Sequence, residues 1–595
     1  MHRVTVATPA CPPSWALLQR RLIAAMDAAA PAFVRRYTRA DGTLVWRDSW
    51  PGMDGSDDGY ESFGNFPLFY ALGGSDEVHQ LARVEWEAVT RQFTAYGQVY
   101  REFDAYYDWM HHGESYIYTY FYGLADPRVA VDRERALRFA AMYIGEDPEA
   151  DNWDPVHRRL RSPITGSRGP RFVNSAEDWV THRPVLDAYP PPFEDIPGAP
   201  GPLCQWTDDA VFAEVLSRLN ERMMRADVPL NLAATSLVTH AFCLTGDERY
   251  RGWVLDYTQA WWDRARANGG VMPDNIGPNG VIGETMNGKW WGGYYGWRWP
   301  HGMNTILEPC VIAAANCLLL TGDARWLDLP REQLDLLCAQ GERRDGALWV
   351  PHRHGDAGWY DYRRLNGRFH LHLWYLSQRE DDWERLVGLG ARDGWDTVAP
   401  GRDKGDQAHA EPWVRYLEGA LPGYPEAVLQ TGWNEMQRRL ARMAADDGDP
   451  TEWDVHHWQD INPVQTEALV QLTLGGPQII YHGGLLHVRL RYFDPAADRP
   501  GLPPDVAALV ESVTASGVNV RLVNLDPLAP RAVVLQAGAF GEHRFDCVAA
   551  DGGPSEPVAD RWLAVDLGPG AATRLTLGMT RYAHAPSYGR PGMGS

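Results

Sequence analysis

The sequence predicts a mainly α-helical protein that ends in an all-β region, and two observations support this. An apolar helix, a turn of a few residues and an amphipathic helix recur along the chain, which is typical of antiparallel helix pairs. After Gly475 the composition changes to short, β-branched and often alternating segments separated by Gly, Pro and Asp, which is typical of strands. We therefore expect a helical domain over residues 1–475 and an antiparallel β domain over residues 476–595.

Six helix pairs can be placed, and each turn is short enough to hold its two helices antiparallel and adjacent. The pairs include the segments that begin at Phe69, Tyr120, Ala241, Asn316, Leu373 and Trp413. Long segments without a clean period separate them, at residues 41–65, 100–115, 145–227, 266–303, 343–369, 392–412 and 447–463. Short turns on one side and long loops on the other predict an (α/α)6 toroid whose long loops share one rim. An open helical solenoid is the alternative, but the repeats are too unequal in length.

The β domain is expected to be a sandwich or a strongly bent antiparallel sheet. One helix is predicted inside it, at Pro504–Ala515, and a loose tail at Ser587–Ser595. Most of the seven cysteines are expected to be buried free thiols, because four lie in predicted helices and none forms a CxxC pair.

Composition and charge narrow the class of partner. A net charge of −22 without a basic tail argues against nucleic acid and against an anionic membrane surface. No apolar run reaches the ~18 residues of a membrane span, and Arg20 and Arg21 interrupt the first apolar segment, so no signal peptide is evident and we expect a cytoplasmic protein. The 26 Trp outnumber the 16 Phe, and a flat apolar ring with one donor suits a sugar. An oligo- or polysaccharide is therefore the expected partner, and the oligomeric state stays open.

The most unusual stretch runs from Glu284 to Glu308. Five aromatic side chains between Trp290 and Trp297 are interrupted only by glycines, a pattern that fits neither a helix nor a strand. Glycine lets the backbone turn so that the rings can line a concave surface, although a tightly packed aromatic corner is the alternative. The candidate residues in this stretch are Glu284, Lys289, Trp290, Trp291, Tyr294, Tyr295, Trp297, Arg298, His301 and Asn304.

Other rim segments add candidates. Asp54, Asp57 and Asp58 could hold a cation, but their spacing does not match the twelve-residue calcium loop, and acidic residues before a helix are often N-caps. His111 and His112 are adjacent and point different ways, which favours hydrogen bonding or proton transfer over zinc. The remaining candidates are Trp109, Glu114, His354, Trp359, Tyr360 and His457. Ten of the nineteen histidines fall in or beside the rim segments: His111, His112, His157, His182, His301, His352, His354, His409, His456 and His457.

Six helix pairs followed by a β domain resemble the toroid-plus-sheet polysaccharide lyases, a group that includes alginate, heparin and hyaluronan lyases. The architecture is also similar to that of some glycoside hydrolases, including β-L-arabinofuranosidases. The resemblance covers most of the chain as architecture and matches no single family: the Asn-Asn-His-Gly motif of oligoalginate lyases and the paired-cysteine zinc site of those arabinofuranosidases are absent. It implies an enzyme that cleaves glycosidic bonds. No cofactor and no catalytic metal are expected, and a structural divalent cation stays open.

A lyase needs a base that removes the C5 proton of a uronate, an acid for the leaving oxygen, and donors that neutralise the carboxylate. Tyr294 or Tyr295 as base and acid, with Arg298, His301 and Asn304 as donors, would supply all three.

A glycoside hydrolase instead needs two carboxylates on opposite sides of the bond that breaks. Glu114 and Glu284 are the first candidates for that pair. The competing carboxylates are Asp57, Asp58, Asp356 and Asp460. Elimination is the leading hypothesis. Hydrolysis, non-catalytic glycan binding and epimerase or isomerase chemistry are the alternatives.

Overall fold

The computed structural model describes residues 1–199, 203–390, 392, 394–401 and 408–592. Parts of the predicted rim segments 145–227 and 392–412, and the end of the predicted tail Ser587–Ser595, lie outside the described residues.

Helices dominate the chain up to residue 474. In chain order they are α1 (Ser14–Tyr37), α2 (Ser56–Glu61), α3 (Phe66–Leu72), α4 (Asp76–Tyr96), α5 (Trp109–Ala125), α6 (Ala130–Ile144), α7 (Arg183–Leu186), α8 (Asp209–Arg222), α9 (Ala234–Thr245), α10 (Glu248–Ala267), α11 (Asn304–Thr321), α12 (Asp328–Ala339), α13 (Arg368–Ser377), α14 (Glu380–Val387), α15 (Ala410–Leu417), α16 (Tyr424–Ala445) and α17 (Glu467–Leu469). The six predicted pairs are confirmed as α3 with α4, α5 with α6, α9 with α10, α11 with α12, α13 with α14 and α15 with α16.

The turn inside a pair follows from its sequence. After α9, Gly246 takes a left-handed conformation with φ of 69°, and the Asp247 side chain accepts a hydrogen bond from the backbone N of Arg249. Gly322 and Asp323 do the same after α11, with φ of 68° at the glycine. Glycine ends the first helix and aspartate caps the next turn, so the recurring Thr-Gly-Asp segment specifies the helix reversal.

Helix contacts run from each pair to the next. The first helices of successive pairs touch in the order α3, α5, α9, α11, α13, α15, and α1 packs against both α4 and α16. The segment before α17 also reaches back to the first pair, since Nδ2 of Asn462 donates to Oδ1 of Asn65 at 3.0 Å. The last part of the helical region therefore meets its beginning.

Helix α11 is long and apolar enough, by length and composition, to cross a membrane, but 89% of that stretch is buried inside the protein. Such burial is what the core helix of a folded domain shows.

Strands occur at the N-terminus and in the loops as well as at the end of the chain. In chain order they are β1 (His2–Val6), β2 (Val99–Tyr100), β3 (Phe103–Asp104), β4 (Trp153–Asp154), β5 (Arg159–Leu160), β6 (Glu342–Arg344), β7 (Ala347–Gly355), β8 (Gly358–Arg364), β9 (Leu490–Asp494), β10 (Arg499–Pro500), β11 (Val506–Thr514), β12 (Gly517–Asn524), β13 (Arg531–Ala537), β14 (Arg544–Ala550), β15 (Glu556–Asp560), β16 (Trp562–Leu567) and β17 (Ala572–Thr580).

The C-terminal region contains two five-stranded sheets, as the change of composition predicts. Their orders are β1-β16-β13-β9-β10 and β11-β12-β17-β14-β15, and β14 of one contacts β16 of the other. All pairings are antiparallel except that of β1 with β16. Residues 2–6 therefore extend a sheet that the sequence assigns to residues 476–595.

Two predictions for the C-terminal region are wrong. Pro504–Ala515 is not a helix, because Val506–Thr514 pairs along its length with β12. Its first residues are apolar and buried where β11 packs against α1, and a continuous apolar run does not distinguish a buried strand from a helix. The described part of the tail is not loose: Tyr588 and Arg590 are each 4% exposed.

The cysteine prediction is confirmed. All seven cysteines lie in the described residues and are free thiols, and Cys204, Cys243, Cys310 and Cys317 are buried.

Candidate functional site

The candidate site lies where the N-terminal ends of α2, α5 and α11 meet the loops of the predicted rim. Asp108 is the N-cap of α5, and its Oδ1 accepts a hydrogen bond from the backbone N of Met110 at 3.0 Å. The same oxygen lies 2.9 Å from Nδ1 of His111, and Oδ2 accepts the Tyr294 hydroxyl at 3.0 Å. The Asp108 carboxylate thus holds both His111 and Tyr294, which are far apart in the sequence.

Asp108 and His111 each stabilise the charged form of the other. Burial alone would raise the pKa of Asp108, but His111 and the hydrogen bonds from His111 and Tyr294 lower it. Burial opposes protonation of His111, yet Asp108, Glu114 and Asp54 raise the pKa of that imidazole to about 9.

Asp54 lies beside them, just before α2. Its Oδ1 accepts the Tyr107 hydroxyl at 2.7 Å and lies 3.3 Å from Nε2 of His182. The Tyr107 ring stacks on His111 with a centroid separation of 4.1 Å. Burial would raise the pKa of Asp54, but the charges of His182 and His111 and the Tyr107 hydrogen bond lower it. The carboxylate is therefore ionised in a site that is almost closed to water.

Tyr295 lies at the centre of this arrangement. Its ring centroid is 6.2 Å from that of His111 and 5.9 Å from that of His301. Its backbone is left-handed, with φ of 50°, which is uncommon outside glycine and often marks a functional position. Burial, then the charge of Asp108, raises the pKa of Tyr295 well above its usual value. Among the described residues its hydroxyl has no hydrogen-bond partner, so this neutral phenol can serve a ligand.

His301 is the second imidazole beside Tyr295. Burial, followed by the positive charges of His482 and Arg353, lowers the pKa of His301 to about 3. The imidazole is therefore neutral at pH 7 and can accept a proton if a negative charge is placed beside it.

A second charged group lies deeper, between α5 and α11. Nε2 of His482 is 3.2 Å from Oε1 of Glu114, and its Nδ1 is 2.9 Å from Oε1 of Glu308. Arg368 continues the series, 3.2 Å from Oε2 of Glu308. Burial opposes both charges, but the two glutamates raise the pKa of His482 to about 10, and His482 and Arg368 lower the pKa of Glu308 to about 2.

Two cavities border these groups. One, of about 550 Å³, is lined by Arg298, His301, Asn304 and Tyr360, all predicted site residues. The Arg298 side chain is already engaged: Nε donates to the carbonyl of Pro191 at 3.0 Å, and Nη1 donates to the Tyr360 hydroxyl at 3.3 Å. Glu114 is one of the residues that line the other cavity, which has a volume of about 120 Å³.

The aromatic–glycine stretch is partly a surface and partly core. Trp290, Trp291 and Trp359 are half-buried around His354, with ring centroids 4.5–4.8 Å from that imidazole. Lys289 binds Asp356 at 2.6 Å beside Trp291. These side chains can bind a sugar face.

Several predicted site residues are structural instead, and these expectations are corrected. Trp109 and Trp297 are fully buried, and Nε1 of Trp297 donates to the carbonyl of Met272 at 2.8 Å. His112 is also fully buried, with Nδ1 2.9 Å from Asp104 and Nε2 3.1 Å from the carbonyl of Thr165. A side chain without exposed surface cannot reach a substrate.

The hydrolase pair is not brought together either. Glu284 lies on an exposed turn, where it accepts a hydrogen bond from the backbone N of Asn279 at 2.9 Å. Glu114 is buried beside His482. The two carboxylates therefore have different surroundings.

The other acidic and histidine candidates are placed as follows. Asp57 and Asp58 are buried in the first turn of α2, and Oδ1 of Asp58 accepts Nε2 of Gln459 at 2.6 Å. His457 stacks on Trp453 with centroids 4.0 Å apart, and its Nε2 lies 2.8 Å from Oδ2 of Asp446. The contacts of His457 are with the helical wall rather than with Tyr295.

The sequence did not single out four residues that organise the site. They are Asp108, Glu308, His482 and Asp274, whose buried carboxylate accepts hydrogen bonds from the backbone N of Gly292, Gly293 and Trp297. Asp108 could have been found, because it precedes a predicted inner helix and is followed by His111 at the spacing of an N-cap contact. His482 carries no such signal, because its partners Glu114 and Glu308 come from distant helices.

A family model covers most of the helical region. It matches residues 3–351 and 343–470 and is described as a domain of unknown function, DUF8034. The chain belongs to this family. No curated protein matches the sequence.

Three solved structures resemble this chain distantly. A D-mannose isomerase has 9% identity and a TM-score of 0.39, over 65% of this chain and 89% of that one. The unsaturated glucuronyl hydrolase of Bacillus sp. GL1 has 13% identity and a TM-score of 0.34, over 79% and 100%. An inactive α-1,6-mannanase variant of Salegentibacter sp. HEL1_6, in complex with α-1,6-mannotetrose, has 10% identity and a TM-score of 0.31, over 77% and 100%. At these TM-scores the likenesses decide neither the fold nor the activity of this chain.

Proposed function

We propose that this protein is a carbohydrate-active enzyme that cleaves uronate-containing oligo- or polysaccharides by β-elimination. The helix contacts, which lead from the last pair back to the first, support an (α/α) toroid with the site on its rim. One observation supports the reaction: the Tyr295 ring lies 6.2 Å from that of His111 and 5.9 Å from that of His301, centroid to centroid, and His301 and Asn304 line a cavity of about 550 Å³.

The reaction uses His301 as base and Tyr295 as acid. A uronate in the cavity places its negative charge beside His301, which raises the pKa of that imidazole toward the working range of a base. His301 takes the C5 proton, the C–H electrons form the C4–C5 double bond, and the bond from C4 to the glycosidic oxygen breaks. Tyr295 protonates that oxygen. Solvent then accepts the proton of His301 and restores that of Tyr295.

Two residues that line the cavity of about 550 Å³ can donate hydrogen bonds to the substrate carboxylate. Asn304 is the first residue of α11, so its side-chain amide and the positive end of the helix dipole favour an anion. Arg298 lines the same cavity and is held in place by its hydrogen bonds, and Oε1 of Glu194, 3.3 Å from its Nη1, offsets part of its positive charge. Negative charge that builds on the carboxylate as C5 loses its proton would be stabilised there.

A hydrolytic general acid needs a carboxyl group with a raised pKa. Asp54, Asp108 and Glu308 have lowered pKa values instead, since each is close to an imidazole. These three acids are therefore poor candidates for a hydrolytic general acid. Hydrolysis remains the second candidate because Glu114 lines the cavity of about 120 Å³, where a carboxylate could meet a sugar.

The test is incubation of the purified chain with a panel of uronate-containing oligosaccharides. Ultraviolet absorbance reports the conjugated double bond, and chromatography reports cleavage. We expect both signals, with kcat lower by roughly 10²–10⁴-fold in Tyr295→Phe and in His301→Ala. The control Tyr362→Phe changes a tyrosine on β8 that does not line the cavity, and it should leave the rate unchanged.

Cleavage without the absorbance would contradict elimination and move the chemistry to Glu114. Binding without cleavage across the panel would instead make the protein a glycan-binding protein.

A further inference from the structure

Two imidazoles and a carboxylate from three separate segments converge beside Tyr295. Asp54 precedes α2, His111 lies in the first turn of α5, and His182 precedes α7. One ligand atom from each lies within 4.8 Å of the other two. That spacing fits one shared ion with bonds of about 2.0–2.6 Å. We infer that Asp54, His111 and His182 bind a divalent first-row transition-metal ion.

The orientation of His111 supports this inference. Its Nδ1 lies 2.9 Å from Oδ1 of Asp108, which leaves Nε2 as the nitrogen available for a metal. A carboxylate behind a ligating imidazole is the usual outer-shell arrangement, because it fixes both the ring and its tautomer. Asp108 is fixed in turn by the hydroxyl of Tyr294 at 3.0 Å.

The buried carboxylates around this site also favour a bound cation. Asp57 and Asp58 are each 1% exposed, and their oxygens lie within 4.8 Å of that of Asp54. Asp54 pairs with His182 at 3.3 Å, and Asp58 with His456 at 3.5 Å. Several buried carboxylates in one place are costly unless positive charge balances them. A bound divalent ion would supply two such charges.

The donor set selects among metals. Imidazole nitrogen suits Zn²⁺ and Mn²⁺ or Fe²⁺, whereas Ca²⁺ and Mg²⁺ prefer sites made of oxygen alone. Two histidines and one carboxylate leave further coordination positions open to a ligand.

The position beside Tyr295 suggests what such a ligand would be. The rings of His111 and Tyr295 are 6.2 Å apart, so a bound ion could hold the carboxylate of a uronate next to the acid. This catalytic role rests on the proposed function. Metal binding itself does not.

The experiment measures metal binding without any sugar. The full chain is treated with a chelator and titrated calorimetrically with ZnCl₂, MnCl₂, MgCl₂ and CaCl₂, and its thermal unfolding is followed with each ion. We expect one equivalent of Zn²⁺ or Mn²⁺ per chain, bound more tightly than Mg²⁺ or Ca²⁺, and a higher Tm with the preferred ion.

Variants then locate the site. Asp54→Asn and His182→Gln should each weaken binding by at least roughly tenfold, and Asp108→Asn by roughly 10–100-fold. His157→Gln is the matched control, because His157 has the same contact with Asp154, three residues earlier, at 2.9 Å. Its affinity should equal that of the unaltered chain. Circular dichroism confirms that each variant is folded.

Three results would overturn the inference. The first is no binding of Zn²⁺ or Mn²⁺ by the folded chain, and the second is binding that is unchanged in both Asp54→Asn and His182→Gln. The third is binding of Ca²⁺ that is lost in Asp57→Asn but unchanged in His182→Gln, which would assign the ion to the carboxylates alone. None of these results depends on whether the protein cleaves a uronate.

Discussion

The carboxylate of Asp274 lies against the backbone of Gly296. A Cβ atom on Gly296 would be 2.2 Å from Oδ2 of Asp274, closer than any side chain tolerates. The carboxylate accepts hydrogen bonds from the backbone N of Gly292, Gly293 and Trp297 at 2.8–2.9 Å. The glycines of the aromatic stretch therefore allow the chain to wrap around a buried acid, and that wrapping places Tyr294 and Tyr295.

Replacement of Gly296 by alanine tests this relationship. Gly296→Ala should lower the free energy of unfolding by on the order of 2–4 kcal/mol, because Asp274 and the loop must separate. The measurement is chemical denaturation. Gly252→Ala is the control: Gly252 lies exposed within α10 with nothing within 4 Å of an added Cβ, so alanine should stabilise the chain by about 0.5–1 kcal/mol. Equal effects of the two substitutions would contradict the role of Asp274.

Much of the fold could be predicted from short-range sequence patterns. The Gly-Asp turns at Gly246 and Gly322 and the apolar first helices are short-range features, so the six pairs could be read directly. Strand β11 could not, because burial where it packs against α1 removes the polar alternation that identifies a strand. The pairing of β1 with β16 joins the two ends of the chain, and no local pattern signals it.

The residues of the candidate site were likewise only partly predictable from the sequence. Tyr295, His301 and Asn304 are neighbours in sequence; His301 and Asn304 line one cavity, and the Tyr295 ring lies 5.9 Å from that of His301. His182 stood out only as one of ten rim histidines, because its partner Asp54 lies in a different rim segment. Glu284 and Trp297 belong to the right stretch, but the turn directions set by the glycines expose one and bury the other.

The two adjacent tyrosines should respond differently to loss of the hydroxyl. Tyr294 donates to the buried carboxylate of Asp108 at 3.0 Å, so Tyr294→Phe should cost about 1–3 kcal/mol of stability, measured by chemical denaturation. Tyr295 has no such partner within the described part of the chain, so Tyr295→Phe should leave the free energy of unfolding within about 0.5 kcal/mol while it lowers the rate of elimination. A larger stability loss in Tyr295→Phe would show that its hydroxyl is structural.

The pH dependence of stability should report His482. Glu308 and Glu114 raise its pKa to about 10 in the folded chain against burial. The protonated imidazole therefore contributes stability that is complete below the unfolded pKa of about 6.5 and is lost as pH rises through about 10. We expect the free energy of unfolding to fall by on the order of 2–4 kcal/mol from this group between pH 7 and pH 10.

Denaturation curves of His482→Gln supply the comparison. The variant should be less stable at pH 7 and should lose this part of the alkaline slope, whereas the control His157→Gln should keep it. At low pH the free energy of unfolding should depend on Glu308, and here stability falls as pH falls. The pKa of Glu308 is about 2 in the folded chain, so its contribution is complete above the unfolded pKa of about 4.3 and is lost as pH falls through about 2. Parallel alkaline slopes in the unaltered chain and in His482→Gln would refute the assignment.

The C-terminal segment should contribute to the stability of the helical region. The Tyr588 hydroxyl lies 2.6 Å from Nδ1 of His240 in α9, and a Cβ atom on Gly123 would be 2.6 Å from the Tyr588 ring. Tyr588→Phe removes one buried hydrogen bond and should cost about 1–3 kcal/mol, whereas Tyr588→Ala also leaves a cavity and should cost about 3–5 kcal/mol. Denaturation and limited proteolysis measure both, with Tyr100→Phe at a partly exposed tyrosine as the control. If removal of residues 587–595 left the unfolding midpoint unchanged, the contact of Tyr588 with His240 would contribute nothing to stability.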